Sequence, residues 1–314
     1  MGAEYAKVLN ALKVDFITIG RSEKSAKAFT ETTGHSVMTG GLDKYIDELQ
    51  SPQYAIVTTT IEELAGTTIG LIEKGIKNIL VEKPAGMNRS EIEKVAKVAK
   101  RHDAFIQVAY NRRFYASTLA AEKIISDDGG VTSFNFEFTE WAHQIETLDK
   151  PKNILDIWFL ANSTHVIDLA FHLGGRPIEM SSYTSGSLDW YKPASIFAGT
   201  GISDKGALFS YQANWKSPGR WGVEMLTSKH KLILRPMEQL HMQKIGSVAI
   251  ERVEIDDKFD IEFKPGLYMQ VKSFLNGIND RNIIDIHGQL QNLVYYEYIE
   301  QGANSNAGCL TLTQ

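Results

Sequence analysis

The chain has a single cysteine, Cys309, so no intramolecular disulfide and no thiolate metal cluster can form. That usage fits a reducing compartment and predicts a cytoplasmic protein. No apolar run approaches the roughly 18 to 20 residues of a membrane span, and no basic stretch followed by an apolar one opens the chain. Neither a spanning helix nor a secretion signal is expected. Charge of one sign is also missing: the formal net charge is -5, with 33 Lys and Arg interspersed among 38 Asp and Glu. Such a surface offers no broad footprint for nucleic acid or an anionic membrane, which leaves a small molecule as the expected partner. There is no internal repeat and no low-complexity linker.

What is present is ordinary for a folded protein, with 43% hydrophobic and 23% charged residues. At 314 residues the chain exceeds one small core, and two domains are expected, 1–117 and 118–314. The first half alternates β-branched runs with helical patterns, the mark of a parallel sheet covered by helices. Strands are predicted over Val14–Ile19, Tyr54–Thr58, Asn78–Val81 and Phe105–Val108, after a helix over 3–12. Thr60 with Glu63 reads as a capping box, Gly75 as the end of that helix, and Asn88 with Glu91 as a second cap. Beyond about residue 120 the strands lengthen and alternate, as in Val131–Thr139, Ala207–Trp215 and His230–Arg235, which predicts a large antiparallel open-faced sheet. Helical spacing interrupts it over 153–173, and two more helices are expected between Tyr268 and Ile299. The predicted fold class is therefore α/β: a Rossmann-type parallel sheet followed by an α+β domain with a mostly antiparallel sheet.

A nucleotide-binding α/β domain opens with a strand, a glycine-rich turn and a helix whose N-terminus faces the pyrophosphate. Here no such strand is seen. Met1-Gly2-Ala3-Glu4-Tyr5 reads as the last glycine of that turn running into the first helix, with the first strand missing and Val14–Ile19 as the second. The competing reading is a protein that begins with a helix.

Three motifs occur in order: Val81-Glu82-Lys83-Pro84 after one buried strand, Tyr110-Asn111-Arg112-Arg113-Phe114 after the next, and His165-Val166-Ile167-Asp168 followed by Leu173 and Gly175. Together they resemble the glucose-fructose oxidoreductase and inositol dehydrogenase family over almost the whole chain. The resemblance implies an N-terminally truncated Rossmann domain, a larger open-faced sheet domain, a dinucleotide cofactor, a sugar-like substrate and a homo-oligomer, dimer or tetramer. It makes Lys83 the residue that contacts the nicotinamide ribose and the reacting hydroxyl, where an ammonium polarises the oxygen as hydride leaves. A lysine before proline in a loop is otherwise a solvated charge. Glu82 orients Lys83 or meets the cofactor.

His165 is the second catalytic candidate, because imidazole titrates near neutrality and can exchange a proton with a hydroxyl. Two other readings stand beside it: a structural histidine on an amphipathic helix, and a metal face formed with Asp168 and His172 at spacings of three and four. No further ligand supports a metal, so none is expected. The family commonly has an acidic residue four positions before this histidine; here it is Ala161, with Asn162 beside it. An amide binds a hydroxyl but cannot act as a base. Asn162 is therefore a candidate substrate group, with Tyr110, Arg113 and Asp168. Arg113 would read a carboxylate or phosphate with its fork, while Arg112 reads equally as an interdomain salt bridge. Tyr115, Trp158 and Trp190 are candidate sugar platforms, or core.

After the second predicted strand comes Ile19-Gly20-Arg21-Ser22. An acidic residue there would bind ribose hydroxyls, whereas an arginine accommodates a 2'-phosphate. Arg21 and Ser22 thus favour NADP over NAD, against a plain solvated loop. Gly2, Thr58 and Thr60 complete the cofactor candidates, the two threonines also serving as ordinary strand-end and cap residues. The expected activity is hydride transfer between NAD(P) and a sugar or nucleotide-sugar hydroxyl. Its rivals are a non-catalytic binding homologue and a scaffold subunit.

Overall fold

The computed structural model describes residues 1–48, 52–277, 280–302 and 310–311; Cys309 lies outside them. The chain divides into two compact units, Met1–Phe114 with Lys258–Leu290, and Tyr115–Asp257 with Gln291–Gln314.

In the first unit, chain order runs α1 (Gly2–Ala11), β1 (Ile19–Gly20), α2 (Glu23–Thr33), β2 (Met38–Thr39), α3 (Leu42–Tyr45), β3 (Tyr54–Val57), α4 (Ile61–Glu73), β4 (Asn78–Glu82), α5 (Arg89–His102) and β5 (Phe105–Ala109). The strands here pair in parallel, as the βα alternation requires, with one isolated antiparallel bridge between Gln107 and Asp285. They form two ladders, β1 with β2, and β3-β4-β5 with Tyr54 opposite Asn78 and Asn78 opposite Phe105. Among the described residues, no strand pairs with both β1 and β3.

Two local expectations fail. The strand expected over Val14–Ile19 is reduced to Ile19 and Gly20. Lys13 takes a left-handed φ of 56°, and the Val14 N–H returns to the Leu9 carbonyl at 3.0 Å, which closes helix α1 instead of feeding a ladder. Val14 and Phe16 pack partly buried side chains against the core, while Ile17 is 62% exposed, so neither the pairing nor the full burial expected of this strand is realised. The Thr60 capping box does not form either: Thr60 sits at the N-cap of α4 without a side-chain bond, and the Glu63 carboxylate pairs instead with Arg21 at 2.7 Å. The cap at Asn88 does form, its side chain accepting from the Glu91 N–H at 3.1 Å.

The second unit contains α6 (Ala116–Asp127), β6 (Ser133–Glu137), α7 (Ala142–Ile145), α8 (Lys152–Leu155), a π-helical turn (Phe159–Ser163), α9 (Thr164–Gly174), β7 (Pro177–Ser185), β8 (Ile196–Ser203), β9 (Leu208–Asn214), β10 (Gly222–Leu226), β11 (His230–Leu234), β12 (His241–Lys244) and β13 (Ile250–Arg252). The chain then returns to the first unit with α10 (Lys258–Glu262) and α11 (Leu267–Asn276), and α12 (Ile286–Gln301) runs across the division before β14 (Leu310–Thr311) ends in the second. The sheet has nine strands in the order β13-β12-β11-β10-β6-β9-β8-β7-β14. Every pairing in it is antiparallel except β6 with β9. Its inner face is aromatic: Phe134, Phe136 and Phe138 meet Phe171 of α9, Phe209 and Tyr211, with ring centroids 5.1 to 6.3 Å apart. A side chain at Gly199 would lie 2.3 Å from the Tyr211 ring, so glycine lets the ring lie flat across the neighbouring strand.

Helix α11 belongs to the first unit because its apolar face is spent there. Leu267, Val271 and Phe274 join Tyr5, Val8 and Leu9 of α1, Leu80 of β4 and Ala109 of β5 in one buried cluster. Fully burying each such side chain contributes about 1.5–3 kcal/mol. No helix among the described residues is long and apolar enough to cross a membrane.

Candidate functional site

In the first unit, the candidate cofactor residues lie where the parallel strands end. Such ends, with the helix N-termini that follow, gather polar backbone groups outside the sheet and are where open α/β sheets bind ligands. Arg21 and Ser22 follow β1, Thr58 and Thr60 follow β3, and Lys83 follows β4 directly. Gly2 opens α1, and a side chain there would lie 3.3 Å from the Thr58 hydroxyl, so the absence of Cβ allows this close approach. The first N–H groups of a helix have no partner within it. That end of α1, the threonine hydroxyls and the Arg21 cation are groups able to donate hydrogen bonds to an anionic ligand.

Some of these groups are already engaged. Ser22 caps α2, accepting from the Ser25 N–H at 3.2 Å. The Arg21 guanidinium holds Glu63 at 2.7 Å with 71% of its side chain exposed. Lys83 is half-buried and begins a cis peptide to Pro84, whose carbonyl accepts from Gln289 at 3.2 Å. Beside it, Glu82 accepts from the Tyr5 hydroxyl at 2.9 Å. Burial pushes the Glu82 carboxyl above its ordinary range, against the Tyr5 hydrogen bond and the Lys83 charge that draw it down. Burial and the Glu82 charge together push the Tyr5 phenol well up. Tyr110 and Arg113 are both buried, and the Arg113 carbonyl accepts from Asn282 at 3.0 Å.

In the second unit, His165 is the second residue of α9 and is buried, with Trp221 6.2 Å away ring to ring. Two of the residues at metal-face spacing have polar partners on other elements. Asp168 accepts from Asn292 at 3.2 Å and from the Tyr296 hydroxyl at 3.5 Å. His172 pairs with Glu122 at 2.7 Å. Asn162, the candidate amide, donates to both oxygens of Glu140 at 3.0 and 3.1 Å. Trp158 and Trp190 meet edge to face at 6.2 Å. Trp190 also lines a hollow of about 540 Å³ bordered by Lys150, Lys152 and Asp189, which holds none of the candidates for chemistry. Tyr115 is core.

Sequence patterns did not single out Tyr5, Glu140 or Arg220. Tyr5 reads only as the end of the Met1-Gly2-Ala3-Glu4-Tyr5 stretch that runs into the first helix. Glu140 is a single polar residue after a strand, its burial set by partners more than 20 residues away along the chain.

Residues 1–110 match the profile of the Gfo/Idh/MocA oxidoreductase family, described as having an NAD-binding Rossmann fold. Solved oxidoreductases share the fold of the whole chain. A levoglucosan dehydrogenase solved with NADH and levoglucosan superposes with a TM-score of 0.78 at 16% identity, covering 100% of this chain and 97% of the other. An NAD-binding oxidoreductase from Klebsiella pneumoniae gives 0.77 at 14% identity, over 99% and 94% of the two chains. The UDP-N-acetylglucosamine 3-dehydrogenase of Acidithiobacillus ferrooxidans gives 0.73 at 14%, over 95% and 93%. No curated protein sequence matches the chain.

Proposed function

We propose that the protein is an NAD(P)-dependent oxidoreductase that interconverts a sugar or nucleotide-sugar alcohol and its ketone. The observation that carries this reading is the position of Lys83. It stands directly beyond the carboxyl end of β4, the middle strand of its ladder, within the segment that matches the NAD-binding family. A bound nicotinamide supplies the acceptor or donor of hydride. The Lys83 ammonium stabilises negative charge on the reacting oxygen. His165 takes the hydroxyl proton during oxidation and returns it during reduction, so one hydride and one proton leave the alcohol together. Gly2, Thr58, Thr60, Arg21 and Ser22 hold the dinucleotide, with Glu82 setting the electrostatics beside Lys83. Arg113, Tyr110 and Asn162 serve substrate binding.

Arg21 favours NADP. A 2'-phosphate is a better partner for a guanidinium than one exposed carboxylate, because an exposed ion pair contributes only about 0–1 kcal/mol. Glu63 is then the residue displaced. The sugar class is supported by the levoglucosan and UDP-N-acetylglucosamine dehydrogenases that share the fold. The test is a screen of sugars and nucleotide sugars with NAD and NADP, following the absorbance of the reduced nicotinamide. Turnover with one of them is expected, faster at low concentration of NADP. Binding of cofactor without turnover on any substrate would favour a sensing homologue instead.

A further inference from the structure

Glu140 stands three residues beyond the end of β6 with only 2% of its side chain exposed. A buried carboxylate is costly unless donors surround it. Here the donors come from one short segment. Oε1 accepts from Asn162 at 3.0 Å and from the Ser163 hydroxyl at 2.8 Å, and Oε2 accepts from Asn162 at 3.1 Å. Asn162 and Ser163 are the last two residues of the π-helical turn, and α9 begins immediately after, with His165 in its first turn. A π turn inserts an extra residue into the helical path and departs from the favoured geometry, so it persists where side chains hold it.

A second connection runs through Arg220. Its Nη1 lies 3.8 Å from Glu140 Oε2. Its guanidinium stacks on both Trp141 and Trp221, 4.6 Å from each ring centroid. Trp221 is in turn the ring 6.2 Å from His165. Two routes of contact thus lead from the carboxylate toward the imidazole, one through the segment that starts α9 and one through Arg220 and the Trp221 ring.

We propose that Glu140 is the positioning residue for His165, acting from the segment that follows β6. The charge locks the π turn and fixes where α9 begins, and so where the imidazole points. Asn162, an amide beside Ala161, is then explained as the donor that receives this carboxylate. The proposal rests on the reading of His165 as the proton carrier.

The test uses the full chain, with histidine ring nitrogens labelled and the His165 signals assigned by their loss in His165→Asn. Glu140→Gln keeps the shape and removes the charge, and it turns an amide donor toward Asn162. It should shift the His165 ring signals and lower kcat on the order of tenfold to a hundredfold with little change in KM, as expected for a small misplacement of a reacting group. Glu140→Asp, which keeps the charge, should restore part of both. Ser163→Ala removes one donor and leaves the carboxylate, so it should move the same signals in the same direction by less, and it decides the matter if Glu140→Gln does not fold. His165 signals that superimpose on those of the parent in the folded variants would overturn the proposal. A parent inactive on every substrate would overturn the dehydrogenase reading alone, because the ring signals still report whether Glu140 sets the imidazole.

Discussion

The hydroxyl of Tyr5, in helix α1, donates to the carboxylate of Glu82 across 2.9 Å and 77 residues of chain. The bond ties the first helix to the residue immediately before Lys83. Tyr5→Phe removes the donor and leaves a buried carboxylate short of a partner, so the first unit should lose about 1–3 kcal/mol. The decrease should appear in thermal unfolding, and a variant as stable as the parent would show the bond to be idle.

The Glu82 carboxyl also sets a pH dependence. Its folded value is raised above the ordinary 4.5, so the folded state holds this proton more tightly than the unfolded chain. That contribution is fully present below pH 4.5 and is lost as pH rises through the folded value. Glu82→Gln should remove this falling segment from the curve of melting temperature against pH, and the parent minus variant difference should decline across that window. A flat difference would contradict the assignment.

Asp128 acts in the opposite sense. Burial alone would raise it, but hydrogen bonds from Thr227 and His230 and the nearby Lys229 charge hold its carboxyl below the ordinary 3.8. The hydrogen bonds measure 2.7 Å each. Its contribution is present above pH 3.8 and is lost as pH falls through the depressed value. Asp128→Asn should destabilise the second unit by about 1–3 kcal/mol at neutral pH and by less in acid. Urea titrations at the two pH values measure both terms.

The cofactor reading turns on Arg21 and Glu63. Glu63→Gln removes the carboxylate that now occupies the guanidinium and should tighten NADP binding while leaving NAD unchanged. Arg21→Asp should reverse the preference toward NAD. Stability should move by no more than about 0.5 kcal/mol in either, since the pair is exposed. Equal affinities for the two cofactors in parent and variants, measured by calorimetric titration, would reduce Arg21 to a solvated charge.

How far the sequence was legible follows from the range of each interaction. The cap at Asn88 was readable because its acceptor and donor are three residues apart. The matching pattern at Thr60 misled because Arg21, 42 residues away, takes the Glu63 carboxylate. The run from Val14 to Ile19 reads as a buried strand but is only partly covered, with Ile17 exposed, because strand formation also needs a neighbour on the hydrogen-bonding side, which periodicity does not encode. Likewise α11 carries an ordinary amphipathic pattern that says nothing of the unit it will cover. Lys83 and His165 stood out because each sits in an ordered motif. Glu140 did not, because a lone glutamate after a strand reads as a solvated loop until the fold surrounds it with Asn162, Ser163 and Arg220.

The roles assigned to Lys83 and His165 make separate demands on turnover. Lys83→Ala should lower kcat by about a hundredfold or more, the size of effect seen when one stabilising donor is removed from a developing oxyanion. His165→Asn should depress the rate and flatten its dependence on pH near neutrality. Parental kinetics in either would remove that residue from the mechanism.

The central claim is that hydride passes directly between the substrate carbon and the nicotinamide. Its most direct test is isotopic: incubate the protein and oxidised cofactor with sugars carrying deuterium at each alcohol carbon in turn, and weigh the reduced cofactor by mass spectrometry. The account predicts one added deuterium from a single labelled position, on one face of the ring, formed at least about a hundredfold more slowly with Lys83→Ala. Reduced cofactor that stays unlabelled from every position, or no reduction with any sugar or nucleotide sugar, would contradict it.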